Sequence, residues 1–89
     1  MSKNAILEKS FNFGLEIVKL YLKLKDKKEY TLSNQLVRPA TSIGANVTET
    51  QYAQSKKDFT NKMSIALKEA NESEYWINLL SKAEIINEE

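Results

Sequence analysis

Cysteine and histidine are both missing from this 89-residue chain. Without cysteine there are no disulfides and no thiolate chemistry, and a reducing cytoplasm is the expected compartment. Without histidine the commonest general base and metal ligand is gone, and neither a Ser-His nor a Cys-His nucleophilic pair can be assembled. Two glycines and one proline leave little turn chemistry for a sheet protein and no glycine-rich phosphate loop. Long uncharged runs are also lacking. The longest inside a helical pattern, Pro39 to Thr48, falls far short of a membrane span, and the start shows no signal-peptide pattern. Glu69 and Glu72 have the i, i+3 spacing of a carboxylate metal helix, but such sites take a histidine in that motif, so both read as surface carboxylates. The expectation is a cytoplasmic protein with no enzymatic activity, cofactor, metal or membrane association.

What is present is helix-bundle composition, rich in Leu, Lys, Glu, Ala, Ile and Asn. The length allows one domain, residues 1–89, with barely enough core to offset conformational entropy. Three helices are predicted, over about 4–28, 32–53 and 56–82. On the first, apolar residues from Ile6 to Leu24 cover an arc about twice the roughly 100° stripe of an ordinary surface helix, so it should meet neighbours on two sides. Gly14 lies in that arc and marks a close crossing. Thr31 is the expected N-cap of the second helix, which Pro39 should kink without ending. Ser55 with Asp58 three residues on is a capping-box variant at the start of the third. From there Phe59, Met63, Ala66, Ala70, Ser73, Ile77 and Leu80 alternate steps of four and three, a bundle-type seam. Near its end Tyr75, Trp76, Ile77, Leu79 and Leu80 point in nearly every direction. That much apolar surface calls for a fourth helix, from a partner or from further chain.

The stretch Leu36 to Glu49 is specified all round. Leu36, Ala40, Ile43 and Val47 form an apolar stripe, Val37, Thr41, Gly44 and Thr48 a small-residue edge, and Arg38, Ser42, Asn46 and Glu49 a polar stripe. The polar stripe is either a solvated face, a polar network across a subunit interface that fixes register, or a ligand site. Phe11, Phe13, Ile17, Tyr75, Trp76 and Leu79 are the candidate apolar interface residues.

Net charge is +1 but unevenly spread: residues 1–68 hold 12 Lys/Arg against 6 acids, and residues 69–89 hold 1 lysine against 6 acids. Lys19, Lys23 and Lys27 repeat every four residues on the wet side of the first helix, and Lys56 and Lys57 open the third. They are candidates for contact with a polyanion, or simply a solvated face. No aromatic platform for base stacking accompanies them.

Several stretches together resemble a known family: Gln35-Leu36-Val37-Arg38, Ser42-Ile43-Gly44-Ala45-Asn46-Val47-x-Glu49, Ser55-Lys56-Lys57-Asp58-Phe59, Met63 to Ala70, and Glu74-Tyr75-Trp76. The chain resembles the four-helix-bundle proteins encoded by intervening sequences in bacterial large-subunit ribosomal RNA genes, which are related to accessory proteins of diversity-generating retroelements. The resemblance implies an all-α, up-and-down antiparallel helical bundle whose fourth helix would begin near Asn87. It also implies a homo-oligomer, pentameric in several members. In the retroelement branch a basic barrel engages a reverse transcriptase and nucleic acid, so RNA or a nucleic-acid enzyme is the implied partner. No catalytic residues carry over. Thr50 stands where Gly or Ala is common, and the near-neutral charge departs from the basic branch. The expected function is therefore a non-enzymatic oligomeric bundle associated with RNA or ribonucleoprotein, or else a protein-interaction module with no nucleic acid.

Overall fold

Among the described residues three helices follow one another: α1 (Lys3–Asp26), α2 (Thr31–Glu49) and α3 (Lys56–Lys82), with one 3-10 turn (Thr50–Tyr52) after α2. The structure, a computed structural model, describes residues 3–86. Short links make consecutive helices antiparallel neighbours. The centre is α2, which packs against both α1 and α3, whereas α1 and α3 do not approach each other closely. The product is the expected all-α up-and-down bundle, 44 × 20 × 18 Å. A fourth helix beginning near Asn87 lies outside the described residues.

The ends of α1 and α3 are set by one device. Lys28 takes a left-handed φ of 62°. Its N–H donates to the Lys25 carbonyl at 2.9 Å, and the N–H of Glu29 donates to Leu24 at 2.8 Å. This Schellman closure stops α1 at Asp26, two residues before the predicted end. Glu84 repeats it at φ 61°, with Glu84 N–H on Ser81 at 3.0 Å and Ile85 N–H on Leu80 at 2.9 Å. The chain thereby folds Ile85 and Ile86 back against the core.

The start of α2 corrects one expectation. Thr31 is its first helical residue, and the cap position falls on Tyr30, whose side chain makes no capping hydrogen bond. Glu29 substitutes: its carboxylate accepts the Leu32 N–H at 3.3 Å, and buried Ser33 donates its hydroxyl to the carbonyls of Glu29 and Tyr30. Beyond that, α2 runs as one helix through Pro39. It tightens into the 3-10 turn instead of continuing to Ala53, and Ala53 is extended. The start of α3 is as anticipated: Ser55 Oγ accepts the Asp58 N–H at 3.0 Å, while the Asp58 carboxylate accepts Gln54 N–H at 3.2 Å.

Ile17 and Leu24 of α1, Leu36 and Ala40 of α2, and Leu80 of α3 form the buried core. Ala66, Ser73 and Leu80 of the predicted α3 seam are buried, but Met63, Ala70 and Ile77 are only half-buried. The seam thus has one row on α2 and a second row left partly open. The closest helix crossing is at Gly44, where a Cβ would stand 3.3 Å from the Ser10 carbonyl oxygen, and not at Gly14, whose nearest neighbour would be Thr41 Cα at 4.0 Å.

Candidate interaction surfaces

The wide apolar arc of α1 resolves into three rows. Ser10, Gly14, Ile17, Tyr21 and Leu24 step by 4, 3, 4 and 3 and face α2, as the Gly14 and Gly44 approaches and the burial of Ile17 and Leu24 show. Ile6, Phe13 and Leu20 turn to one side and line a groove. Phe11, Leu15, Val18 and Leu22 turn to the other side, also in steps of 4, 3 and 4, and all four are exposed, Phe11 by 68% and Leu22 by 54%.

The groove exists because α1 and α3 each rest on α2 without meeting. Ile43 and Val47 of α2 form its floor, and Met63, Ala66, Ala70 and Ile77 form the α3 wall. Its first part has a volume of about 560 Å³ and its second about 1280 Å³. Both are lined by Lys9, Phe13 and Ile77, so the groove is continuous along the bundle.

On the opposite side of the layer runs the polar stripe of α2. Arg38 and Glu49 are exposed, while Ser42 and Asn46 are half-buried. The Asn46 amide donates to the Ser42 carbonyl at 3.0 Å and to its hydroxyl at 3.1 Å. Glu49 pairs with Lys62 of α3 at 2.9 Å, and that hydrogen bond raises the Lys62 pKa above its ordinary value. Lys62 was not anticipated from the sequence, because nothing local links it to a residue thirteen positions earlier. Within the chain the stripe is a surface network, with Arg38 outside it.

The six apolar candidates separate. Ile17 is corrected: at 6% exposure it is core, committed to α2, and unavailable to a partner. Phe13 is half-buried in the groove wall. Phe11, Tyr75 and Leu79 are exposed. Trp76 packs on the core with its indole N–H directed to Glu72 Oε2 at 3.4 Å, and Tyr75 meets its ring edge-on at 5.0 Å. Leu15, Val18 and Leu22 belong with Phe11. Their 4-3-4 spacing was visible but was absorbed into the single wide arc.

The lysines also separate. Lys19, Lys23 and Lys27 line the groove on its α1 rim, with Lys19 held by Glu16 at 3.4 Å. Lys56 and Lys57 sit at the first turn of α3. Because α1 and α3 run in the same direction, Lys27 and Lys56 belong to opposite ends of the bundle, about 35 Å apart at 1.5 Å rise per residue. They do not form one patch. Among the described residues no group of acids, histidines or cysteines is placed to hold a metal, and no helix is long and apolar enough to cross a membrane.

A family model described as 23S rRNA-intervening sequence protein matches residues 2–89. The chain belongs to that family. Within the same family of folds, the crystal structure of a protein of unknown function from the S23 ribosomal protein family of Bacteroides thetaiotaomicron is similar to it, with 49% identity and a TM-score of 0.92. The match covers 98% of this chain and 79% of that one. No curated protein matches this intervening-sequence protein.

Proposed function

We propose that this member of the intervening-sequence family is a non-enzymatic bundle that self-associates through the outer row of α1. The observation that supports this is the exposure of Phe11, Leu15, Val18 and Leu22 at the a/d spacing through which helices interlock. Apolar residues scattered singly on a surface need no explanation, but a contiguous row does. Thr41 and Ala45, the α2 residues beside this row, are exposed and short, leaving room for a second helix to approach. The polar stripe follows on the same side of the layer, so Arg38, Ser42, Asn46 and Glu49 would lie at or near the contact and fix its register. Five copies is the number that the family resemblance implies, and the cytoplasm the compartment.

Sedimentation velocity tests this. The wild-type chain should run as one oligomeric species at micromolar concentration, and Phe11→Glu with Leu22→Glu should run as a helical monomer. A wild-type monomer under those conditions ends the proposal.

RNA association is the second reading, supported by Lys23, Lys25, Lys27 and Lys28 at one end of α1, all exposed. A ring of copies would gather several such ends. Filter binding to RNA should then weaken steeply with salt, and Lys25→Gln with Lys28→Gln should lower both the affinity and the salt slope.

A further inference from the structure

The outer row of α1 is bounded by a charge at each end. Glu8, Phe11, Leu15, Val18, Leu22 and Lys25 step by 3, 4, 3, 4 and 3, and all six are exposed. Neither Glu8 nor Lys25 is in an ion pair among the described residues. The spacing reads the same from either end, about a midpoint between Glu16 and Ile17. Laid antiparallel on a second copy of itself, such a row brings Phe11 level with Leu22, Leu15 with Val18, and Glu8 with Lys25. Laid parallel, it sets Glu8 against Glu8 and Lys25 against Lys25.

We infer that the row meets the same row of a second copy, antiparallel, across a two-fold axis level with the midpoint. The inference rests on self-association through this row and names what the row meets. Interlocked helices stack their apolar side chains in layers. Here the antiparallel match fills four layers with apolar pairs and closes each end with one Glu8–Lys25 pair. The like charges of the parallel arrangement act against it. The outer row of α3 is a poorer mate. Ile65, Lys68, Glu72, Tyr75 and Leu79 are exposed there, but Lys68 and Glu72 would face the apolar middle of the α1 row. Of the other charges on this side of α1, Lys19 is held by Glu16 at 3.4 Å, and Asp26 comes level with Leu7 of the second copy. A two-fold contact joins copies in pairs, whereas a ring of five is closed head to tail, so this seam makes the number of copies even.

The chain has no cysteine, so introduced thiols report the pairing without background. Glu8→Cys mixed with Lys25→Cys and oxidised should give a disulfide-linked pair of the two chains, and neither variant alone should cross-link. In sedimentation, Glu8→Lys alone and Lys25→Glu alone should each weaken association about tenfold, because both end pairs turn repulsive at once. Carrying both changes in one chain should restore it. The substituted positions are exposed, and unchanged helical circular dichroism verifies folding of each variant. No cross-link in the mixture, cross-linking of either variant with itself, or a double variant no better than the singles overturns the two-fold seam. So does a wild-type particle with an odd number of copies. Each of these outcomes leaves association through the row standing, whereas a wild-type monomer ends both readings.

Discussion

Gly44 lies against the backbone of Ser10: a Cβ on it would stand 3.3 Å from the Ser10 carbonyl oxygen and 3.7 Å from the Phe11 nitrogen. The neighbour is helix backbone, which cannot swing aside as a side chain can. Replacing Gly44 by alanine therefore pushes α1 off α2 by a few tenths of an ångström. At Gly14 the same methyl group meets Thr41 Cα at ordinary contact distance, 4.0 Å. Alanine is favoured over glycine in a helix interior by about 1 kcal/mol. Gly14→Ala should raise the melting temperature, and Gly44→Ala should lower it despite the same gain in propensity. Thermal unfolding by circular dichroism distinguishes them.

Lys28 and Glu84 hold left-handed conformations that cost a side-chain-bearing residue roughly 1–2 kcal/mol. Glycine adopts them freely but loses more backbone entropy on folding. Lys28→Gly and Glu84→Gly should each stabilise the chain by about 1 kcal/mol, additively, since they terminate different helices. Denaturant titration reads the change as a shifted midpoint at constant slope.

Leu80 is wholly buried beside Leu24 and Leu36. Truncation to alanine leaves a cavity and costs roughly 2–5 kcal/mol, a large part of the total for so short a chain. Leu80→Ala should unfold at markedly lower denaturant. Leu67→Ala, at an exposed position, should change little.

Glu49 raises the Lys62 pKa by accepting its hydrogen bond. A raised pKa in the folded state means the pair contributes fully below the ordinary lysine range and is lost as pH climbs through the folded value. Both groups are solvent-accessible, so the contribution is small. By NMR, Lys62 should titrate above the ordinary lysine value, and Glu49→Gln should lower it toward that value.

The helices themselves were legible in the residues. Ser55 and Asp58 mark the start of α3, Gly44 in the small edge of α2 is where α1 comes closest, although Thr41 and Thr48 of that edge stay exposed, and Pro39 does not divide the helix. What misled was local. Thr31 has the right side chain for a cap, yet Glu29 reaches the free amide first. Lys28 and Glu84 give no glycine signal for the turns that they make.

Sequence alone determined that the chain is helical and antiparallel, because periodicity and capping act within a few residues of each other. It could not divide the arc of α1 among three tasks. Ile17, Phe13 and Phe11 are equally hydrophobic and differ only in direction, so only the placement of α2 and the gap to α3 made one core, one groove wall and one exposed. The same holds for charge: Lys27 and Lys56 look alike in the chain and lie at opposite ends of the bundle, since the route of the backbone, and not composition, decides which charges share a surface.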